Sequence, residues 1–213
     1  MCWVIEQSVS AGYPTDAEGV LLIEVAGLAD TLDKQVKEIS EICQRNKVRE
    51  LRIAQTNAER DALWKGRRGA FGAVARICPP YSVCDGTVPR DKLAQALHRV
   101  GEIAEKYHVL IANVAHAGDG NLHPLILFDA KNPEERAAAK KAGDEVLDAC
   151  IALGGTITGE HGIGLEKMGA MHLMFDPADI AAMRQVKLAF DPDDILNPGK
   201  MLPPDTSQSP PTR

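Results

Sequence analysis

The chain has 213 residues and a formal net charge of −6, and hydrophobic residues make up 45% of it and charged residues 25%. This composition is typical of globular proteins and differs from that of disordered, collagenous or membrane-embedded chains. Binding nucleic acid over a broad surface requires clustered Lys and Arg, so we expect no nucleic-acid partner. The length allows one domain or two small domains that pack closely.

The cysteines indicate a reducing compartment. There are five of them, an odd number, and they form no Cys-x-x-Cys pair. We interpret them as reduced, mostly buried thiols of a cytosolic protein. No apolar run approaches the length of a membrane span, and the first residues lack a secretory leader pattern. We therefore expect a cytoplasmic location, and the abrupt start suggests a fragment of a longer protein.

The first third of the chain alternates apolar runs with helical patterns. Residues 20–25 and 49–54 are short apolar runs that favour strands. Between them, residues 30–46 carry an apolar stripe at helical spacing, with Asp30 as the expected N-cap. Thr56 and Glu59 have the spacing of a capping box and predict a helix that ends near residue 71.

The remainder predicts a complete split βαβ unit. The expected elements are a strand at 81–88 interrupted at Asp85, a helix capped by Asp91, strands at 109–115 and 122–128, a helix from 133 to 153, and a strand at 156–158. The fold class is therefore α+β, with ferredoxin-like plaits in which helices cover one face of an antiparallel sheet. The earlier segment predicts an incomplete copy of the same unit. A last helix is expected at 177–190.

Residues 116–124 contain two imidazoles that flank a Gly- and Asp-rich turn. Because such a turn tolerates unusual backbone angles, a hairpin here can direct His116 and His123 toward one ion. The alternative is a structural role, since a histidine near a hairpin is often only hydrogen-bonded.

Residues 158–164 place Glu160 and His161 side by side between glycines. Glu160 can complete a set of two histidines and one carboxylate, which leaves coordination positions open for substrate. The alternative is an exposed Glu-His pair in a Gly-rich turn. In a simple plait the end of the fourth strand lies away from the hairpin, so convergence of these groups is a hypothesis.

Arg67 and Arg68 follow Trp64 on a predicted helix, and a guanidinium can bind a carboxylate through two parallel hydrogen bonds. A solvated basic face is the alternative for at least one of them. The segments 85–90 and 195–200 are turn signatures that suggest no function by themselves. No phosphate loop or dinucleotide-binding fingerprint is present.

Taken together, these segments resemble the C-terminal domain of FAD-linked oxidases of the vanillyl-alcohol-oxidase type. The likeness is strongest to the flavin-containing subunit of bacterial glycolate oxidases, with D-lactate and D-2-hydroxyglutarate dehydrogenases as relatives. The matching stretches run in family order: 11–14, 63–68, 84–90, 116–128, 154–164 and 189–200. The resemblance implies such a domain over residues 1–201, truncated at its N-terminus, and we expect residues 202–213 to form a disordered tail.

The resemblance also implies roles for individual residues. His116, His123 and Glu160 correspond to the family's ligands of a divalent metal, which we expect to be zinc. His161 corresponds to the catalytic base, and Arg67 to the residue that binds the substrate carboxylate. Asn197 and Gly162 correspond to positions near the flavin.

Two departures from the family matter. Relatives that act on 2-hydroxyglutarate carry Asn two positions after the second metal histidine. Leu125 stands there in this chain, which favours a smaller substrate such as glycolate or lactate. The family's main FAD-binding domain also has no counterpart in these residues, so we expect the isolated chain to bind FAD weakly and to be inactive alone.

The resemblance therefore implies the substrate-facing part of an FAD-dependent 2-hydroxy-acid oxidoreductase. The implied partners are a small 2-hydroxy acid, an FAD-binding domain or other oxidase subunits, including an iron–sulfur subunit, and a second copy of the chain. Such subunits would hold the protein at the inner face of the membrane. The alternatives are a metal-dependent hydrolase and a catalytically silent module that binds metal or subunits.

Overall fold

The computed structural model describes residues 2–78 and 80–204. The chain divides into a first unit that ends at residue 79 and a second unit that begins at residue 80. In the described part of the chain, no helix combines the length and apolar composition required to cross a membrane.

The first unit is helical. Its helices are α1 (Cys2–Val9), α2 (Ala29–Arg45) and α3 (Asn57–Ile77). The predicted capping box is confirmed, because the Thr56 side chain accepts from the Glu59 amide while the Glu59 side chain accepts from the Thr56 amide. Helix α3 continues past the predicted end near residue 71. The reason is its packing against α1, where Gly69 lies against Val9, since tertiary contacts override the weak helix propensity of glycine.

Other predictions for the first unit are wrong. Neither 20–25 nor 49–54 forms a strand, and no strand is assigned among residues 2–78. A strand requires a hydrogen-bonded neighbour, and these runs instead line an apolar groove of about 520 Å³. Helix α2 begins after Leu28, which makes no side-chain cap, so Asp30 lies in the first turn and is not the N-cap.

The second unit follows the predicted element order. It contains β1 (Tyr81–Val83), β2 (Gly86–Thr87), α4 (Leu93–Tyr107), β3 (Leu110–His116), β4 (Asn121–Leu127), α5 (Pro133–Ala152) and α6 (Pro177–Phe190). The interruption predicted near Asp85 separates β1 from β2. A 3-10 turn at Arg90–Lys92 precedes α4, so Asp91 is not the cap of that helix. Helices α5 and α6 begin at the predicted positions, and Asn132 and Asp176 are their N-caps.

Strand β4 is the centre of an antiparallel sheet. It pairs with β3 along one edge and with β1 and β2 along the other. Thr156 forms a bridge with Thr87 on the far side of β2, so the predicted fourth strand is reduced to one pair. The order β3, β4, β1/β2, Thr156 is that of a ferredoxin-like plait. The predicted α+β class is confirmed.

The main core lies between this sheet and the helices α4 and α5, which share one face as predicted. Val100 and Ile103 of α4 pack with Ile126 of β4 and Val146 of α5. Burial also raises the pKa of the Cys84 thiol to about 12. Three of the five cysteines, Cys2, Cys84 and Cys150, are buried.

The start of the predicted tail requires a correction. Leu202 is buried and packs with Leu147, Ile157 and Met171, and the Arg184 guanidinium donates to the Pro203 carbonyl. These contacts hold residues 202 and 203 against the second unit. Residues 205–213 of the predicted tail lie outside the described residues.

We predict that Gly155→Ala destabilises the second unit, because a Cβ there would lie 1.7 Å from the Thr87 carbonyl oxygen. Overpacking of this kind costs about 1–3 kcal/mol. The control is Gly101→Ala in α4, where no atom lies within 4 Å of the added Cβ. It should raise stability by up to about 1 kcal/mol through helix propensity. Urea denaturation measures the free energy of unfolding of both variants. A Gly155→Ala protein as stable as the wild type would contradict the close contact between Gly155 and the Thr87 carbonyl.

Candidate metal and catalytic site

The register of β4 places the two histidines of the hairpin on one face of the sheet. His116 is paired with Asn121, and His123 lies two residues further along β4. Alternate residues of a strand share a face, and Ile126, on the other face, packs against the helices. His116 and His123 therefore lie on the face opposite α4 and α5, with ring centroids 5.4 Å apart.

Asp85 reaches the same face from the neighbouring strand. The pairs of Val83 with Leu125 and of Gly86 with Leu122 bracket it, so Asp85 lies opposite His123. The His123 Nδ1 and Asp85 Oδ1 atoms are 3.9 Å apart. A carboxylate thus occupies a fully buried position within the sheet.

The segment after Thr156 brings Glu160 and His161 to this face. The Glu160 Oε1 atom lies 2.8 Å from His123 Nε2, 3.5 Å from His116 Nε2 and 3.8 Å from His161 Nε2. The His161 ring stacks on the His123 ring with centroids 4.9 Å apart. The side chains of His116, His123, Glu160 and His161 therefore lie close together, as hypothesised from the sequence. Only one residue pair joins Thr156 to the sheet, so the chain after it can turn back over the sheet.

The backbone of this segment is attached to Asp85. We define the 158–161 loop as residues 158–161. The Asp85 carboxylate accepts hydrogen bonds from the amides of Gly159, Glu160 and His161 at 2.9–3.3 Å. It also accepts from the Thr158 hydroxyl at 2.6 Å and from the Lys167 ammonium at 2.9 Å.

The electrostatics of Asp85 follow from these contacts. Burial alone would raise its pKa, but the hydrogen bonds from Thr158, Lys167 and His161 outweigh burial and hold the pKa well below its ordinary value. Asp85 is therefore an anion at any pH near neutrality. Lys167 is also buried, so the pair adds little net charge to the site.

His123 is held as a neutral imidazole. Burial is the main cause that lowers its pKa, despite the attraction of Glu160. The Asp85 carboxylate, like Glu160, acts in the opposite direction to burial. A neutral imidazole is the form of histidine that binds a metal ion.

The donor set fits a divalent metal ion. Zinc binds imidazole nitrogen and carboxylate oxygen at about 2.0–2.2 Å, so two such ligands lie roughly 3–3.5 Å apart. Glu160 Oε1 lies 3.5 Å from His116 Nε2, at the upper end of this range, and 2.8 Å from His123 Nε2, slightly below it. Asp85, His123, Glu160 and His161 also offer ligand atoms that all lie within 4.8 Å of one another. The arrangement can bind an ion and leave an imidazole beside it.

The remaining predicted residues are not among these candidate ligands. Arg67 belongs to the first unit, where it is half-buried and its guanidinium lies 6.0 Å from the centre of the Phe71 ring. Arg68 is exposed and donates to the Asp61 carbonyl. Asn197 is exposed at a φ of 51°. Leu125 is fully buried on the same sheet face as His123.

Gly162 is open to a ligand. Its φ is +82°, and no atom lies within 4 Å of the position that a Cβ would occupy. A flat ring can therefore approach the backbone at this point, as the predicted role beside a flavin requires.

Sequence reasoning missed the residues that hold the loop. The sequence indicated only a turn at Asp85, and it indicated no role for Lys167 or Thr158. The available signal was an Asp within an apolar strand segment, in register with His123. Asn121 was missed too: it is buried against Gly159, and among the described residues its Oδ1 has no hydrogen-bond partner.

A protein-family model decides the family. The model of FAD linked oxidases, C-terminal domain, matches residues 3–201. The chain belongs to this family. The resemblance inferred from the sequence is confirmed.

Curated relatives agree with this assignment. The chain is 45% identical to glycolate oxidase subunit GlcD of Escherichia coli over 198 residues, which cover 93% of this chain and 40% of the relative. It is 42% identical to the Bacillus subtilis GlcD over 95% of this chain and 43% of the relative. The mitochondrial cytochrome-type D-lactate dehydrogenase of Arabidopsis thaliana is 30% identical over 86% of this chain and 33% of the relative. The chain thus spans less than half the length of these relatives.

A solved structure supports the fold. The 4-ethylphenol oxidase from Gulosibacter chungangensis, in its isoeugenol complex, superposes with a TM-score of 0.57 and 17% identity. The match covers 83% of this chain and 38% of the oxidase chain. At this identity the likeness concerns the fold alone.

The lowered pKa of Asp85 predicts how its contribution to stability depends on pH. Because the folded pKa is below the unfolded value of about 3.9, the contribution is complete above about pH 4 and is lost as the pH falls further. Breaking a buried pair costs about 3–5 kcal/mol, so Asp85→Asn should lose about that much at pH 7.

The measurement is urea denaturation of both proteins from pH 8 to pH 3. The difference in unfolding free energy should be constant from pH 8 to 5 and should shrink below about pH 4. A difference that shrinks between pH 7 and 5, or that persists unchanged at pH 3, would contradict the assignment of Asp85 as a buried anion.

Proposed function

We propose that this chain is the C-terminal, substrate-facing part of an FAD-dependent 2-hydroxy-acid oxidoreductase that converts glycolate or D-lactate to the 2-oxo acid. The observation that carries the proposal is the arrangement of three imidazoles around one oxygen of Glu160, in a chain of the FAD-linked oxidase family. The names of the relatives, glycolate oxidase subunit and D-lactate dehydrogenase, supply the substrate class.

In this proposal His116, His123 and Glu160 hold a divalent ion, with zinc as the expected metal. The separations of their ligand atoms support the set, and so does the lowered pKa of His123, because a metal ion binds the neutral imidazole. His161 lies beside the set, with its ring on that of His123. It is therefore placed to act as a base beside the ion.

A bound divalent ion supplies a Lewis acid that lowers the pKa of the substrate hydroxyl, and a bound flavin supplies the hydride acceptor. His161 takes the hydroxyl proton on its imidazole, a role worth typically about 10²–10⁴-fold in rate. The nearby Glu160 carboxylate stabilises the imidazolium that results.

In this proposal Arg67 binds the substrate carboxylate. The role of Arg67 rests on the resemblance of residues 63–68 to the corresponding segment of the family. A charge-assisted hydrogen bond contributes about 1.5–3 kcal/mol. Its half-buried side chain, in contrast to the exposed Arg68, supports the choice between the two. Leu125 fits a small substrate, because a buried leucine offers no polar group to a second substrate carboxylate.

Gly162 and Asn197 lie beside the flavin in this proposal. The open backbone at Gly162 supports its role. The Asp191 carboxylate accepts from the amides of Ile195 and Leu196 and so orients the turn that carries Asn197.

The proposed partners rest on the family resemblance and on the name of one relative. GlcD is named as a subunit of glycolate oxidase. We infer that an FAD-binding domain or subunit and an iron–sulfur subunit complete the enzyme. Self-association and a place in the cytoplasm, at the inner face of the membrane through those subunits, belong to the same proposal.

The metal site predicts about one zinc or similar divalent ion per chain. His116→Ala and His123→Ala should each lower occupancy strongly, because each removes one of three ligands. The matched control is His98→Ala, an exposed histidine on α4 whose ion pair is with Glu102. Elemental analysis after dialysis gives the stoichiometry. Equal metal content in the wild-type chain and in all three variants would refute the assignment of His116 and His123 as ligands.

The substrate roles predict separate kinetic effects once an FAD-binding domain is joined to the chain or added in trans. Arg67→Ala should raise KM more than it lowers kcat, because binding the carboxylate is common to the ground state and transition state. His161→Ala should lower kcat by about 10²-fold or more with a smaller change in KM, because a base acts only as the proton leaves.

Arg68→Ala is the control for this experiment and should leave both constants nearly unchanged. Damage by Arg68→Ala with a silent Arg67→Ala would show that the carboxylate-binding role belongs to the neighbouring residue. Normal turnover of His161→Ala would show that another group is the base.

A further inference from the structure

The 158–161 loop needs an external anchor. The side chains of Glu160 and His161 are each about half exposed, at 51% and 45%, so packing alone does not fix them. The backbone that carries them determines where each side chain can reach. The contacts of that backbone therefore help to position both side chains.

One carboxylate supplies most of this anchoring. The amides of Gly159, Glu160 and His161 all point at Asp85. Successive amides directed at one anion form a concave binding site of the kind that backbone nests make for ligands. Here the anion is a side chain of the same protein, from a position 74 to 76 residues earlier in the chain.

The position of Asp85 is itself rigid. It is fully buried between β1 and β2, and the Gly159 amide also donates to its backbone carbonyl. Lys167 compensates its charge within the interior. The loop is thus attached to the sheet that carries His116 and His123, and the attachment is charge-assisted and shielded from water.

Asp85 has an oxygen near those of the candidate ligands, so it could be thought a further metal ligand. Its contacts argue against this. Four of the five groups that donate to the carboxylate converge on Oδ2. The Oδ1 atom lies 3.9 Å from His123 Nδ1, whereas Glu160 contacts His123 Nε2. An ion held by Glu160 and His123 Nε2 would therefore lie on the side of the imidazole away from Asp85.

We propose that Asp85 is a positioning residue, which fixes Glu160 and His161 through the backbone of the 158–161 loop and does not bind metal or substrate itself. The effect of Asp85 on ion binding rests on the proposed metal site. The effect of Asp85 on the 158–161 loop does not rest on that site, because all the contacts involved join groups of the protein.

The test compares Asp85→Asn with the wild-type chain by amide hydrogen exchange, measured by NMR without metal. The Asn side chain keeps the shape of Asp but replaces one acceptor oxygen with a donor. Exchange at Gly159, Glu160 and His161 should become at least about 10-fold faster, while the amides of α5 stay unchanged. The matched control, Asp144→Asn, removes an exposed Asp that is also paired with a lysine and should change none of these amides.

Cobalt(II) is the probe for the second readout, because its absorption bands report the number and type of ligands. Asp85→Asn should bind Co²⁺ about 10–100-fold more weakly, as loss of a group that orients ligands typically does, with the spectrum of the saturated protein unchanged. Altered bands at saturation would identify Asp85 as a ligand and overturn the proposal. So would unchanged exchange at the three loop amides.

Thr158→Val decides the question if Asp85→Asn does not fold, because it removes only one donor to Asp85. It should accelerate exchange at the same three amides to a smaller extent, and unchanged exchange would overturn the proposal. A wild-type chain that binds no Co²⁺ would refute the proposed metal site, whereas the exchange experiment would still decide the role of Asp85.

Discussion

The antiparallel pairing of β4 on both of its edges is the constraint on which the candidate site depends. Residues directly opposite each other in a sheet lie on the same face, so this register determines the face of His116, His123 and Asp85 together. A shift by one residue would exchange the two faces. The histidines would then enter the core with α4 and α5, and Ile126 would face the site. Burial of the sheet face that packs against α4 and α5 therefore also determines which residues lie on the opposite face, where the candidate site is.

The second constraint is the buried pair of Asp85 and Lys167. Removing two charges from water is costly, and the cost is offset only when hydrogen bonds satisfy both groups. Asp85 meets this requirement through the backbone of the 158–161 loop. The loop therefore stabilises the buried anion, and the anion holds the loop. Folding of this part of the sheet and placement of Glu160 and His161 are consequences of the same contacts.

Local signals in the sequence predicted the elements that depend on local interactions. The hairpin of β3 and β4, the capping box at Thr56 and the start of α5 at Pro133 all rest on residues within a few positions of each other, and each is present. Non-local pairing was harder to predict. The runs 20–25 and 49–54 have strand-like composition, but composition does not supply a partner for a ladder.

The site shows the same division. The residues of the two histidine-containing stretches could be named from the sequence, because the family resemblance points to them directly. Their convergence could not be derived, since it depends on the Thr87–Thr156 bridge and on contacts to Asp85 across more than 70 residues. Asp85 carried only a turn signature. A buried anion that binds three amides is visible only when the fold is known.

The central claim is that His116, His123 and Glu160 together bind one metal ion. X-ray absorption spectroscopy of the zinc-loaded chain tests it most directly, because it measures the distances and types of the atoms bound to the metal. The account predicts nitrogen and oxygen ligands at about 2.0–2.2 Å, with the multiple-scattering pattern of two imidazoles. Sulfur at about 2.3 Å, from any of the five cysteines, or a shell without imidazole would contradict it.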